Sequence, residues 1–191
     1  DWSSDVCSSD LGCPRYVGAL IEGIAVKESP AWMQAHLRQL GLRSINNIVD
    51  ITNFLMMEYG HPMHAFDADL IRGSEIVIRG ANEGEQIVTL DGITRKLSSG
   101  DLLICDGDGP VALGGIMGGE NTEIRNETQN LFIEIAYFDP IRIRKTSRKL
   151  KLHTDASHRF ERGMDPEFPD KLMSIVVEQI IELAGGSLVG V

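Results

Sequence analysis

Asn130-Leu131-Phe132-Ile133-Glu134-Ile135-Ala136-Tyr137-Phe138 reads as a β-strand with two largely apolar faces. Strand side chains alternate, so Leu131, Ile133, Ile135 and Tyr137 share one face while Phe132, Glu134, Ala136 and Phe138 share the other. A strand apolar on both sides has to be covered on both sides. Glu134 is the anomaly in it. Burying a carboxylate costs several kcal/mol unless hydrogen bonds compensate. Either Glu134 meets water at a sheet edge, or it is an acceptor aimed into a pocket.

Upstream, Arg15 to Val26 reads as a strand interrupted by Gly18 and Gly23. Ser29-Pro30 predicts a helix start, with the helix running through Leu40 and stopping at Gly41. Ser44 opens a second helix whose Ile45, Ile48, Val49, Thr52, Leu55 and Met56 share a face, and Gly60 ends it. Gly60 to His64 is a loop, since Pro62 holds its predecessor extended. Strands follow at Ile76 to Arg79, Glu85 to Leu90 and Ile93 to Leu97, with an Asp91-Gly92 turn between the last two. Leu102 to Cys105 and Val111 to Leu113 flank a Gly107 to Pro110 turn. Beyond Phe138, Asp139-Pro140 and Asp165-Pro166 each predict a capped helix, the last reaching about Ala184. Helices, then strands, then helices favour an α+β fold with a mixed, mostly antiparallel sheet flanked by helices.

The chain has 191 residues and a formal net charge of −10. That charge argues against gripping a polyanion by broad complementarity, so any nucleic acid would be held mainly by another domain or subunit. Residues 1–11 lack apolar periodicity and match the translation of a sequencing-adaptor oligonucleotide, so they are set apart from the fold. Their abrupt join to Gly12 predicts an internal fragment of a longer protein. Cys13 and Cys105 stand alone, which gives no disulfide framework and fits a reducing cytosol. No apolar run approaches the roughly 18 residues of a membrane span.

Four further features could carry chemistry. Gly114-Gly115-Ile116-Met117-Gly118-Gly119 lets a backbone approach a ligand, or is a tight turn between packed strands. It lacks the Gly-Lys-Ser/Thr ending of a phosphate loop. His61 and His64 have metal-like spacing, but Pro62 breaks the helical geometry such a pair needs, so no metal site is expected. His64 can instead serve as base or water-positioner, or be an ordinary surface histidine. Thr52-Asn53 is a polar pair in an apolar helix, bonded to the preceding turn or facing solvent. Leu152 to Gly163 packs two histidines, two carboxylates and two arginines into twelve residues. It is a capped helix start with Asp155 as N-cap, an active-site segment, or both. No covalent nucleophile has a recognisable setting, so any hydrolysis would activate water.

Together these stretches resemble one family. Gly41 to Asn46, Val49 to Asn53, Pro62 to Asp67, Gly114 to Glu120, Glu127 to Asn130 and His153 to Gly163 are similar, in order and spacing, to the B3/B4 region of bacterial phenylalanyl-tRNA synthetase β subunits. The resemblance covers about residues 13–191 and implies that residues 12–191 form one editing domain. Such a domain hydrolyses tyrosine wrongly esterified to phenylalanine tRNA. By resemblance Glu134 accepts the tyrosine para-hydroxyl, and His64 and Thr154 place the attacking water or the ester. Arg43, Thr52, Asn53 and Pro62 would wall the amino acid and terminal adenosine. Gly115 and Gly118 would line the pocket, and Ala156 would stay small to keep it open. The resemblance also implies a catalytic α subunit as partner, in an assembly of two α and two β subunits. ATP and Mg²⁺ would serve the parent enzyme and no cofactor would sit in this segment, with the whole placed in the cytoplasm. The competing reading is a non-catalytic module for tRNA placement or subunit assembly.

Overall fold

The computed structural model describes residues 7–8 and 12–191. The reading of residues 1–11 as translated adaptor lies, Cys7–Ser8 apart, outside them. The elements in order are β1 (Cys7–Ser8), β2 (Arg15–Glu22), α1 (Ala31–Gln39), α2 (Asn47–Tyr59), β3 (His64–Asp67), β4 (Val77–Gly80), β5 (Gln86–Val88), β6 (Thr94–Lys96), β7 (Leu102–Cys105) and β8 (Pro110–Leu113). After them come β9 (Met117–Gly118), β10 (Asn130–Tyr137), α3 (Pro140–Leu150), α4 (Asp155–Phe160), α5 (Phe168–Ala184) and β11 (Ser187–Gly190). The class is α+β with mostly antiparallel strands. The strands divide between a four-stranded sheet, β11-β2-β10-β3, a five-stranded sheet, β1-β4-β7-β8-β9, and the β5-β6 hairpin. Among the described strands only the β1–β4 pairing is parallel.

The alternation in β10 sets the layers. Leu131, Ile133 and Ile135 pack with Met33, Leu37, Ile51, Leu55, Leu172 and Val176, which come from α1, α2 and α5. Phe132 and Ala136 pack on the opposite side with Ile78, Leu103, Ile104, Val111 and Leu113 of the second sheet. One sheet therefore separates a helical layer from a second sheet, and Glu134 points between the two sheets. β10 lies between β2 and β3, so the sheet-edge alternative for Glu134 is excluded.

Several predicted boundaries move, each for a local reason. Arg15 to Val26 shortens to β2, ending at Glu22 before Gly23, which has φ +75°. The second helix starts at Asn47 because the Asn46 side chain accepts from the Val49 N–H at 3.0 Å. Ser44, expected to open it, gives its hydroxyl to Asp50, as does Ser29. The last helix begins at Phe168 rather than after Asp165. Asp165 instead accepts the Glu167 N–H at 2.9 Å, and the second proline, Pro169, occupies the first helical turn. Strand β5 stops at Val88, since Thr89 bridges to Gly119 instead.

Two turns aim the site residues. Gly60, at φ +73°, ends α2 in the left-handed region and sends the chain through Pro62 into β3, placing His64 at the strand's first position. Lys151, at φ +52°, ends α3 and leads to α4. No helix among the described residues is long and apolar enough to cross a membrane.

Candidate functional site

Glu134 faces His64 across the β10–β3 ladder and Gly18 across the β10–β2 ladder. On the β2 side the space above Gly18 is taken by the Phe132 ring; a Cβ on Gly18 would lie 2.4 Å from Phe132 Cζ. The Glu134 side chain is 5% exposed. Its one hydrogen-bond partner among the described side chains is Tyr16, two positions before Gly18, whose hydroxyl donates to Oε2 at 3.2 Å. Loss of water pushes the Glu134 carboxyl up to about 8, and the Tyr16 bond only partly offsets that. Burial, then the neighbouring carboxyl, raises the Tyr16 hydroxyl well above its ordinary value. At neutral pH both are largely protonated.

His64 is half-buried, with its ring edge-on to Phe66 at 4.4 Å between centroids. Removal from water lowers it to about 4, so at pH 7 it is a neutral imidazole with a free lone pair. Neither ring nitrogen is hydrogen-bonded to a described residue. The other wall against it is bare backbone: a Cβ on Gly118 would lie 2.5 Å from both His64 Cε1 and Nε2. Gly115 sits at φ +67°, and a Cβ there would come within 2.9 Å of both Ile143 and Phe138. The two glycines are required by close approach, which decides between the alternatives left for the loop: it is a turn, and it forms the wall of a cavity.

That cavity is lined by Pro62, Met63 and His64 on one side, Gly115 to Gly118 on another, and Glu134, Phe138, Ala156 and Phe160. As it stands the cavity measures about 60 Å³, too small for a nucleoside. Size alone does not choose the site, since two other hollows measure about 290 and 300 Å³. The first presents solvated carboxylates at its rim. In the second, Asp106 is spent on the backbone N–H groups of Arg72, Asp108 and Gly109 at 2.9 to 3.0 Å. Of these three, the smaller cavity joins a neutral histidine to a carboxyl held out of water, the mark of a functional site.

The remaining expected residues divide. Thr154 stands beside this cavity rather than in its wall. Its hydroxyl donates to Ile116 O at 2.9 Å and accepts from Ser157 N–H at 3.0 Å, while the Ser157 hydroxyl accepts from Thr154 N–H at 2.9 Å. Thr154, not Asp155, is therefore the cap of α4, in a reciprocal capping box that also ties α4 to the glycine loop. Asp155 pairs with Arg159 on the solvent side at 2.8 Å. Thr52 is buried and donates to Val49 O at 2.8 Å, Asn53 is half-buried, and Arg43 is exposed; none of the three lines the cavity. His61 and His64 diverge. His61 Nε2 lies 3.0 Å from Ala136 O, and burial lowers its pKa. Asp67 accepts the Thr128 hydroxyl at 2.6 Å. Among the described residues no three His, Cys, Asp or Glu side chains gather as a metal set.

The arrangement brings together a buried carboxyl that accepts a phenol hydroxyl, a neutral imidazole and a backbone N–H with no acceptor among the described residues. In the loop, Gly114, Ile116 and Gly119 N–H donate to Leu102, Leu113 and Val111 carbonyls. The Gly115 N–H donates to no acceptor among the described residues. Tyr16 was invisible in the sequence as a site residue, because only the β2–β10 register brings it to Glu134.

The B3/4 domain family matches residues 12–185. The phenylalanine–tRNA ligase β subunit of Geobacter metallireducens is 55% identical over 178 residues, covering 93% of this chain and 22% of that protein. That of Thermotoga maritima is 46% identical, covering 97% of this chain and 24% of that protein. The chain thus spans under a quarter of the length of these curated relatives. A crystal structure of an N-terminal fragment of the phenylalanyl-tRNA synthetase β subunit from Pyrococcus horikoshii shares the fold at TM-score 0.51 and 18% identity, over 70% of this chain and 43% of that one.

Proposed function

Since the chain belongs to the B3/4 domain family, we propose that it is the editing domain of a phenylalanine–tRNA ligase β subunit, a water-activating esterase that removes tyrosine from phenylalanine tRNA. The observation that carries this reading is Glu134: a carboxyl 5% exposed, raised to about 8, on the wall of a cavity shared with a neutral His64. A synthetic site shaped for phenylalanine rejects an isostere with one added hydroxyl by only about 10²-fold. A second site that requires the hydroxyl reverses the preference. Tyrosine gives its para-hydroxyl to Glu134, whereas phenylalanine leaves that group desolvated and short of a partner. That Glu134 already accepts a phenol, from Tyr16, supports the match.

The ester carbon then lies toward the cavity mouth. Neutral His64 takes a proton from the attacking water or orients it, and the Gly115 N–H meets the oxyanion as it forms. Thr154 braces the loop that carries Gly115 through its bond to Ile116 O. Met63 and Met117, both half-buried, are flexible walls that yield to an entering ring. Arg43, Thr52 and Asn53 serve the adenosine side. The tRNA body is held elsewhere, in keeping with the net charge of −10. ATP and Mg²⁺ serve ligation at a catalytic α subunit, in a cytosolic assembly of two α and two β subunits. A second reading, favoured by the lack of a recognisable covalent nucleophile, is a non-catalytic module for tRNA placement or subunit assembly.

Deacylation by the complete ligase separates the two. With tyrosine and phenylalanine each esterified to phenylalanine tRNA, an editing domain releases tyrosine and spares phenylalanine. Equal, background release of both would leave only the placement module.

A further inference from the structure

We propose that Tyr16 is a positioning residue for the selective carboxyl, fixing Glu134 Oε2 so that Oε1 alone is presented to the substrate hydroxyl; this rests on the editing reading above. The terminal torsion of a glutamate is broad and roughly two-fold, so an unanchored carboxyl samples many orientations. Within the described residues Tyr16 supplies its one side-chain hydrogen bond, at 3.2 Å to Oε2. Tyr16 comes from β2, opposite Ala136, on the same sheet face as Glu134. It is absent from the cavity wall, which places it behind the carboxyl rather than beside the substrate. Among the described residues Oε1 has no partner, so a second phenol can occupy it without displacing the first.

The groups facing Glu134 are few. β2 contributes Tyr16 and β3 contributes His64, which is neutral. The 114–119 loop contributes no ionisable side chain, and α4 presents Ala156 and Phe160. The helices α1, α2 and α5 pack on the far face of the sheet. Tyr16 is thus the neighbour that holds the Glu134 pKa down against burial. An ionised carboxylate accepts more strongly than a neutral carboxyl. Selectivity for tyrosine therefore rises as Glu134 ionises, and Tyr16 sets where on the pH scale that happens.

The test is Tyr16→Phe in the complete ligase, with kcat/KM for tyrosyl- and phenylalanyl-tRNA measured from pH 6 to 9. The bond is long for O–H···O, so loss of the hydroxyl should lower the tyrosine-to-phenylalanine ratio by about fivefold. The pH midpoint of that ratio should move up, which loss of packing alone would not cause. In a folded variant, an unmoved midpoint overturns the inference, whatever the ratio does. Should the variant fail to fold, 3-fluorotyrosine placed at position 16 keeps the shape and is a stronger donor. It should move the midpoint down, and no movement overturns the inference. A wild-type enzyme with no preference for tyrosine would instead sink the editing reading, and this inference with it.

Discussion

Glu134→Gln should make the chain more stable, and increasingly so as pH rises. The carboxyl is 5% exposed between two sheets, with two neutral neighbours, and burial raises its pKa from 4.5 to about 8. Between those values the folded chain keeps a proton that the unfolded chain has released. Its contribution to stability is therefore intact below about pH 4.5 and is lost progressively as pH climbs towards 8. The loss runs at about 1.4 kcal/mol per pH unit, which amounts to about 3 kcal/mol by pH 7. Glutamine keeps the shape and an acceptor for Tyr16 but has no proton to lose. Urea unfolding of both chains at pH 5, 6, 7 and 8, followed by circular dichroism, measures the gap. It should widen by about 3 kcal/mol from the acid end to neutrality. A gap independent of pH would refute the reasoning, since it would mean that Glu134 ionises equally easily in both states.

Gly118→Ala places a methyl 2.5 Å from two atoms of the His64 ring, so the imidazole must move. Tyrosine release should fall at least about tenfold, at a stability cost of about 1–3 kcal/mol seen in thermal melts. Ala156→Trp overfills the cavity, and release should stop at a stability cost of about 1–3 kcal/mol, read in the same thermal melts. In the Glu134→Gln variant, whose carboxamide does not titrate, release should hold level from pH 8 down to about pH 5, because burial lowers His64 to about 4. A decline centred near pH 6.5 in the pH–rate profile would show that His64 titrates like a solvated imidazole.

The sequence makes the layers of the fold legible through β10. Its period-two pattern separates Leu131, Ile133 and Ile135 from Phe132, Glu134 and Ala136, and each set packs into its own core. Glu134 stood out because a carboxylate among phenylalanines carries a desolvation cost that chemistry must justify. What local pattern could not provide was partnership. Tyr16 is 118 residues away and meets Glu134 only through strand register. The division into two sheets has the same origin, since a run of short strands does not state which of them pair. Caps shifted wherever two candidates stood close together. Thr154 outcompetes Asp155 because its hydroxyl also reaches Ile116 O, and Asn46 outcompetes Ser44 because Asp50 claims the serine. The dense segment from Leu152 to Gly163 thus puts Ala156 in the cavity wall and ties α4 to the glycine loop through Thr154, while Asp155 and Arg159 pair at the surface.

The account stands most directly on Glu134 as the reader of the para-hydroxyl. The decisive measurement is the ratio of tyrosine to phenylalanine release from phenylalanine tRNA by the complete ligase, compared between wild type and Glu134→Ala. The account predicts a strong tyrosine preference in the wild type that collapses towards equality in the variant, with phenylalanine release unchanged or increased. A variant that still prefers tyrosine as strongly as the wild type would contradict it.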